Sequence, residues 1–345
     1  MAEMSDAECE LALKSFAELT GTDEACAHFF LQDVNWELQA ALNNFFECGS
    51  HEDGSRRTEA ASKGEKERSA EVTSPPQPSL DSFTVLSWNV DGLDKANLKT
   101  RFTAVCYIIS KISAEAVFLQ ELAPELVPEL RKNLSGEYSI LLSTPSQLYF
   151  TGILLKPNVE YISHKCIPYA NSGMGRAMEL VEAKIGDMNV RLLNTHLESM
   201  QEHSEIRKAQ LQQCFEQLKE WNDGHTLIIF GGDLNIRDHE VGDLPAGFRD
   251  AWVAAGSKSK WRFTWDTRLN DNKSAGGARC RFDRLYFNGY LLPITFIKKK
   301  SRAKSDIIAS GGVFSSVDFS LEGQDRIRRT LCFPSDHWAL VARFY

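Results

Sequence analysis

Residues 49–79, GSHEDGSRRTEAASKGEKERSAEVTSPPQPS, are charged, rich in Ser and Pro, and almost devoid of large apolar side chains. A stretch of this kind buries too little surface to offset the entropy of ordering it. It is expected to be a disordered linker over 49–80, and it divides the chain into a small unit, 1–48, and a large one, 81–345. With 345 residues in all, the second part is long enough for a substantial core of its own.

Charge separates the two parts as well. The net charge of −8 is concentrated in residues 1–48, where ten acids face Lys14 as the only base, whereas 81–345 is mildly basic. A polyanionic partner is disfavoured by the first part and compatible with the second. Glu3, Asp6, Glu8 and Glu10 stand where a signal peptide would need positive charge, and no apolar run approaches a membrane span. The protein is therefore expected inside the cell and off the membrane. The eight cysteines form no CxxC pair and no zinc-like spacing with His, so they read as reduced and mostly buried.

Within 1–48 three short helical patterns are legible. SDAECELALKSFAELT puts Leu11, Leu13, Phe16 and Leu19 near one face, Thr22 can cap a second helix after Gly21, and NWELQAALNNFFE starts a third at Asn35 with Trp36, Leu38, Leu42 and Phe45 or Phe46. A small three-helix bundle follows, with a helical hairpin as the alternative. After the linker, β-rich runs alternate with helical ones. Strands are expected at 83–89, 116–121, 138–143, 151–156, 188–196, 225–233, 281–287 and the C-terminal run, and helices in LKTRFTAVCYIISKI, ELVPELRKNL and SEIRKAQLQQCFEQLKEWN. That alternation predicts an α/β domain with helices outside a sheet core.

Several of these strands finish in polar residues that core packing would not select: Asn89 and Asp91, Glu121, His196, Asp233 and Asn235, with Asp283 breaking RFDRLYF and Ser335-Asp336-His337-Trp338 preceding the last strand. Singly, each has a bland reading as a turn, a solvated strand end or a core histidine. Together they suggest one mouth, because ligand sites in α/β folds collect at strand ends. The chemistry fits phosphodiester hydrolysis. Attack of water on an anionic phosphoryl centre calls for a divalent cation, a carboxylate to align the water, and donors for the developing charge. Glu121 and Asp91 offer oxygen ligands suited to Mg²⁺, Asp336 could ligate or position water, and Asp233 can serve as base. Asn235 and His337 can donate, and Asp283 can fix the tautomer of His337.

Taken in order, LSWNVDGL, FLQEL, NTHLES, GGDLNIRD, RFDRLYF and SDHW resemble the endonuclease/exonuclease/phosphatase superfamily. The resemblance implies a DNase I-like, four-layer α/β sandwich of two packed mixed sheets with outer helices, and divalent-metal-dependent phosphoester hydrolysis. The first 48 residues resemble a ubiquitin-associated (UBA-like) domain, which implies ubiquitin binding. THLES, FTWDT and SDHW, together with the UBA-like unit, are similar to one branch of the superfamily, which cleaves the bond between a DNA 5′-phosphate and a tyrosine. That implies action on DNA 5′ ends carrying a tyrosyl or peptide adduct left by topoisomerase II. It also implies a nuclear location, with the cytoplasm as a second one, and Mg²⁺ as cofactor with Mn²⁺ as a substitute.

By the same resemblance Asn89, Glu121, Asp233, Asn235 and His337 are catalytic and Asp91 and Glu121 bind metal; the chemistry of the residues adds Asp283 to the catalytic set and Asp336 to the metal ligands. His196, Ser199, Arg237, Tyr149, Trp265 and Phe282 contact substrate; Phe282 also reads as core. Gln201 stands where relatives carry Arg, which replaces a charged phosphate contact by a neutral hydrogen bond. The cluster KKKSRAK, 298–304, reads as a DNA-backbone patch, a nuclear-import signal or a solvated loop. Two other functions stay open on sequence: a relative acting on abasic DNA, RNA 3′ ends or inositol phosphates, and a ubiquitin-dependent adaptor that only binds.

Overall fold

The computed structural model describes residues 6–20, 27, 31, 36–38, 41, 82–143, 147–288 and 316–345. The expected linker and the basic cluster at 298–304 lie outside the described residues. The chain divides into two compact units, Met1–Ser79 and Leu80–Tyr345.

In the first unit, helix α1 (Asp6–Thr20) buries Ala12, Leu13 and Phe16. Leu11 does not join them: it is 68% exposed. Two residues two positions apart lie about 200° apart on a helix, so Leu11 and Leu13 cannot share a face. Ala27, Leu31, Trp36 and Ala41 are also buried. Trp36 takes a left-handed φ of 68° and its amide donates to the Leu31 carbonyl at 2.7 Å, so it closes a turn ahead of the next helical hydrogen bond, Ala41 to Glu37. Thr22, Leu42, Phe45 and Phe46 lie outside the described residues.

The second unit is built on two six-stranded sheets. Its elements in chain order are β1 (Phe83–Asn89), α2 (Leu98–Ile112), β2 (Ala116–Leu122), α3 (Val127–Leu134), β3 (Ser139–Leu142), β4 (Phe150–Leu155), β5 (Glu160–Pro168), β6 (Ala177–Ile185), β7 (Met188–His196), α4 (Ser204–Trp221), β8 (Leu227–Asp233), β9 (Phe248–Asp250), α5 (Ala251–Ala254), β10 (Trp265–Asp266), β11 (Arg279–Cys280), β12 (Asp283–Asn288), β13 (Val317–Glu322) and β14 (Ala339–Phe344). One sheet runs β13-β14-β1-β2-β4-β3, the other β5-β6-β7-β8-β12-β9, and β10 pairs with β11 apart from both. Each large sheet holds one parallel pair, β1 with β2 and β7 with β8, and in each case the connecting helix, α2 or α4, crosses over the outside.

Period-two alternation explains the layers. In β1, Phe83 and Val85 face the second sheet, whereas Leu86 and Trp88 face α2 and α3, where Phe102, Val105, Ile109, Leu130 and Leu134 cover them. In β8, Leu227 and Ile229 meet the first sheet, and Ile228 and Phe230 pack under Leu211, Phe215 and Leu218 of α4. The order helix, sheet, sheet, helix is the expected four-layer sandwich. Burial of each such Leu or Phe contributes roughly 1.5–3 kcal/mol. Among the described residues no helix is long and apolar enough to cross a membrane, and the described cysteines are free.

Gly231 and Gly232 lie within β8, inside the strand expected at 225–233, where the neighbouring strands come too close for side chains. A Cβ on Gly232 would sit 1.9 Å from the Thr195 carbonyl oxygen, and its φ of 131° excludes other residues. Asp283 is the first residue of β12 and does not interrupt it. Strands β5, β6, β9, β10, β11 and β13 add to those read from the sequence.

Candidate active site

The face of each sheet that meets the other changes character along its central strands. Phe83 and Val85 give way to Ser87 and Asn89, Val190 and Leu192 to Asn194 and His196, Leu227 and Ile229 to Gly231 and Asp233. The apolar half is the core, and the polar half is a mouth at the C-terminal ends of the two parallel pairs. Gln120 and Asn194 close its floor: Gln120 Nε2 donates to Asn194 Oδ1 at 2.8 Å, and Asn194 Nδ2 to the Leu119 and Gly152 carbonyls at 3.1 and 3.0 Å. The antiparallel strands β12 and β14 begin at this end, and so bring in Asp283 and His337.

Asp233 is the hub. Its Oδ2 accepts from Asn89 Nδ2 at 2.9 Å and lies 3.3 Å from His196 Nε2 and 3.8 Å from His337 Nε2, and its Oδ1 accepts from the Asn235 amide at 3.0 Å. Burial alone would raise the pKa of Asp233, but the imidazoles of His196 and His337 and the Asn89 hydrogen bond outweigh it and hold the carboxyl well below its usual range. The two histidines differ in state. Burial and the adjacent Arg176 push His196 down to about 4, so it is neutral. Because Arg176 Nη1 donates to Nδ1, the proton of His196 is on Nε2, toward Asp233. Burial acts against charge on His337 too, yet Asp283, Asp336 and Asp233 raise it well above 6.5, so it is an imidazolium. Its Nδ1 is 2.8 Å from Asp283 Oδ2.

The SDHW segment is sewn to β1. Ser335 Oγ donates to the Asn89 carbonyl at 2.6 Å and accepts from the His337 amide at 3.1 Å, and Trp88 Nε1 donates to the His337 carbonyl at 2.9 Å. Asp336 Oδ2 accepts from Trp265 Nε1 at 3.2 Å. Trp265 stacks toward Phe282, ring centroids 5.6 Å apart, and Phe282 in turn faces His337 at 6.5 Å and Arg237 at 5.9 Å. Phe282 is half-buried and precedes β12, so it belongs to the mouth and not to the core.

Glu121 arrives by an irregularity. Strand parity would aim it at α2, but the β2–β4 register shifts between Leu119 and Leu122, and Glu121 takes a left-handed φ of 55°. Asp91 and Asn235, φ 51° and 50°, are held the same way. Gly92 makes this approach feasible, since a Cβ there would stand 2.2 Å from the Glu121 carbonyl oxygen. Burial and then Asp336 raise the Glu121 pKa to about 7, and burial with Asp336 raises Asp91 to about 6. Asp91 Oδ2 has no hydrogen bond among the described residues and faces Arg101 Nη1 at 3.3 Å.

Asp91, Glu121 and Asp336 are oxygen donors that could hold a divalent cation. Donor atoms of Asp233, Asp283 and His337 lie within 4.8 Å of one another, but His337 Nδ1 is already engaged by Asp283 Oδ2 at 2.8 Å. Burial, and after it the nearby Asp336 carboxylate, raises the proton affinity of both Asp91 and Glu121, as an unneutralised set of oxygen donors would.

The remaining expected residues form a second wall. Tyr149 lies with its ring 4.7 Å from the Arg176 guanidinium and 6.3 Å from His196, lining a pocket with Gln147 and Gly175. Ser199 Oγ accepts from Arg176 Nη2 at 3.3 Å. Gln201 is not brought in: it is exposed on a short 3-10 turn, Gln201–His203, with no side-chain hydrogen bond to the mouth among the described residues. Sequence reading missed Arg176, Arg101 and Lys273. Arg101 is buried and donates to the Asp91 and Asp94 carbonyls at 3.0 and 2.8 Å, and Lys273 Nζ is 3.2 Å from Asp91 Oδ1. The available signal for Arg101 was its place next to Phe102 and ahead of Val105 and Ile109, on the buried side of the helix.

Comparison with known proteins follows the same lines. Residues 86–337 match the endonuclease/exonuclease/phosphatase family and residues 7–52 a UBA-like domain. The chain is 40% identical over 349 residues to a 5′-tyrosyl-DNA phosphodiesterase of Caenorhabditis briggsae, covering 99% of this chain and 91% of that protein. It is similar to the crystal structure of a truncated TDP2 of Caenorhabditis elegans, with 43% identity, a TM-score of 0.67, and coverage of 77% of this chain and 98% of that one. A D. rerio TDP2 complexed with single-strand DNA product has 31% identity and a TM-score of 0.67, covering 77% and 99%. The chain therefore belongs to the endonuclease/exonuclease/phosphatase family, in the branch formed by the tyrosyl-DNA phosphodiesterase 2 proteins.

Proposed function

We propose that the protein hydrolyses the phosphodiester bond between a DNA 5′-phosphate and a tyrosine, releasing topoisomerase II remnants and leaving a 5′-phosphate for double-strand break repair in the nucleus. The observation that carries this reading is the Asp233 hub: an ionised carboxylate bracketed by a neutral donor, His196, and a cationic one, His337. Relatives that share most of the chain's length bear the name of this activity.

In this mechanism Asp233, kept deprotonated and fixed by Asn89 and the Asn235 amide, orients a water through Oδ1 and receives its proton as the water attacks phosphorus. Asn235 and the imidazolium of His337 donate to the phosphoryl oxygens as negative charge grows on them. Arg176, His196 and Ser199 bind the phosphate side of the DNA end, with Tyr149 beside them, and Trp265 and Phe282 offer ring faces on which a base stacks regardless of sequence. Glu121, Asp91 and Asp336 would hold Mg²⁺, with Mn²⁺ as a substitute; when bound it neutralises phosphate charge and stabilises the leaving phenolate.

We also assign residues 1–48 a ubiquitin-binding role, from the UBA-like match; an NMR titration of the labelled chain with ubiquitin should shift resonances of that unit, and unchanged spectra would refute it. The reaction itself is tested by polarity. Matched oligonucleotides carrying a 5′-phosphotyrosyl, a 3′-phosphotyrosyl or an abasic site should differ, with tyrosine released rapidly from the first alone. Preference for either of the others would replace the proposed substrate.

A further inference from the structure

Arg176 lines the phosphate wall, yet the groups its guanidinium touches are neutral: His196 Nδ1, Ser199 Oγ at 3.3 Å, the Met174 thioether at 3.7 Å and the Tyr149 ring. Its Nε is buried with no hydrogen bond among the described residues. A long side chain with such partners keeps many rotamers unless its backbone is fixed. Arg176 ends the loop 169–176 between β5 and β6, in which Asn171, Gly173 and Gly175 are exposed. The base of that loop is closed by the Tyr169 amide, which donates to the Arg176 carbonyl at 3.0 Å.

One carboxylate gathers the rest of the loop. Glu198 follows β7 and is 1% exposed. Its Oε1 accepts from the Gly173 and Met174 amides at 2.8 and 3.1 Å, and its Oε2 from Ser172 Oγ at 2.8 Å and Gln210 Nε2 at 3.2 Å. Ser172 Oγ carries the hold onward, accepting from the Met174 and Arg176 amides at 3.2 and 2.9 Å. Glu198 is itself set by α4: its amide donates to Gln210 Oε1 at 2.8 Å, and its carbonyl accepts from Arg207 Nη1 at 3.1 Å. Burial alone would raise its pKa, but the bonds from Ser172, Gln210 and Gly173, and then the Arg176 charge, keep the carboxyl below its usual range. The four donors therefore meet an anion, which makes each bond stronger than one to a neutral acceptor.

We propose that Glu198 is a positioning residue, which holds the loop 169–176 so that Arg176 faces the substrate. The inference rests on the role given to Arg176 above. Two measurements on the full-length chain test it. In hydrogen exchange without substrate, Glu198→Ala should speed exchange across 169–176 about 10-fold or more and Glu198→Gln by less, with β6, β7 and β8 unchanged. In steady-state release of tyrosine from a 5′-phosphotyrosyl oligonucleotide with Mg²⁺, kcat/KM should fall about 10- to 100-fold in Glu198→Ala and less in Glu198→Gln. Because Glu198 acts through Arg176, Glu198→Ala should add nothing in an Arg176→Ala background. Unchanged exchange in the loop, exchange raised throughout the domain in both Glu198 variants, or losses that multiply in the double variant would each overturn the positioning role. Loosening confined to the loop, with no tyrosine released by wild type, would overturn the proposed reaction and leave the hold on Arg176 standing.

Discussion

His337 Nδ1 lies 2.8 Å from Asp283 Oδ2, and this contact leaves His337 Nε2 facing Asp233 Oδ2, 3.8 Å away. The chain orders Asp233, Asp283 and His337 across more than a hundred residues, yet adjacent strand ends bring them together. Asp283 is the foremost of the three carboxylates, with Asp336 and Asp233, that keep His337 cationic. Asp283→Asn keeps the shape and removes the charge, so the His337 pKa falls. The alkaline limb of the kcat profile should move to lower pH, with turnover reduced about 10- to 100-fold at pH 8 and less at pH 6. An equal loss at every pH would assign Asp283 another role.

Burial and then Arg176 keep His196 neutral, and Arg176 turns its proton toward Asp233. Arg176→Ala removes an opposing charge, so the His196 pKa should rise from about 4 toward ordinary values, readable by NMR titration of the ring protons. kcat/KM for a 5′-adducted oligonucleotide should fall about 10- to 100-fold. An unmoved His196 titration would mean that burial alone sets its state.

Glu121 couples stability to pH. The folded chain holds its proton up to about 7, against 4.5 as the ordinary value, and the cause is first burial and then Asp336. The stability this contributes is present below pH 4.5 and is lost as pH rises through 7, on the order of 3 kcal/mol. Asp91, raised to about 6, acts in the same direction. In EDTA the protein should unfold at lower urea at pH 8 than at pH 5, and Glu121→Gln should flatten that slope. Mn²⁺ added at pH 6 should release protons, measurable as buffer-dependent binding heats; a buffer-independent heat would contradict it.

Gly92 and Gly232 are fixed by close backbone approach. Ala at either position must push neighbouring strands apart at the mouth, at a cost of about 2–4 kcal/mol. Chemical denaturation should show the loss, and activity should fall further than stability because Glu121 or Asp233 moves with the strand.

How much of this was legible follows from strand parity. Asn89, His196 and Asp233 continue the inward face of their strands, so a period-two reading already aligns them. Glu121 has the opposite parity, and only the bulge and its left-handed backbone, set by β4 and Gly92, turn it inward. Strand β6 was hidden because Glu179, Glu182 and Lys184 break its apolar pattern, although Glu179 is fully buried and accepts from Asn194 and His164 at 3.2 and 3.0 Å. Strand β13, VDFSLE, does alternate, with Val317, Phe319 and Leu321 inward, and was within reach of the same rule. Arg176 and Lys273 come from irregular segments where no period exists to reveal direction.

The central claim is that Asp233 and a divalent ion together drive hydrolysis at this mouth. Its most direct test is single-turnover release of tyrosine from a 5′-phosphotyrosyl oligonucleotide by wild type and Asp233→Asn, each with Mg²⁺ and with EDTA. Fast release by wild type with Mg²⁺ is expected, with a loss of about 10³-fold or more in Asp233→Asn and in EDTA. Release undiminished by either change, in folded protein, would contradict the account.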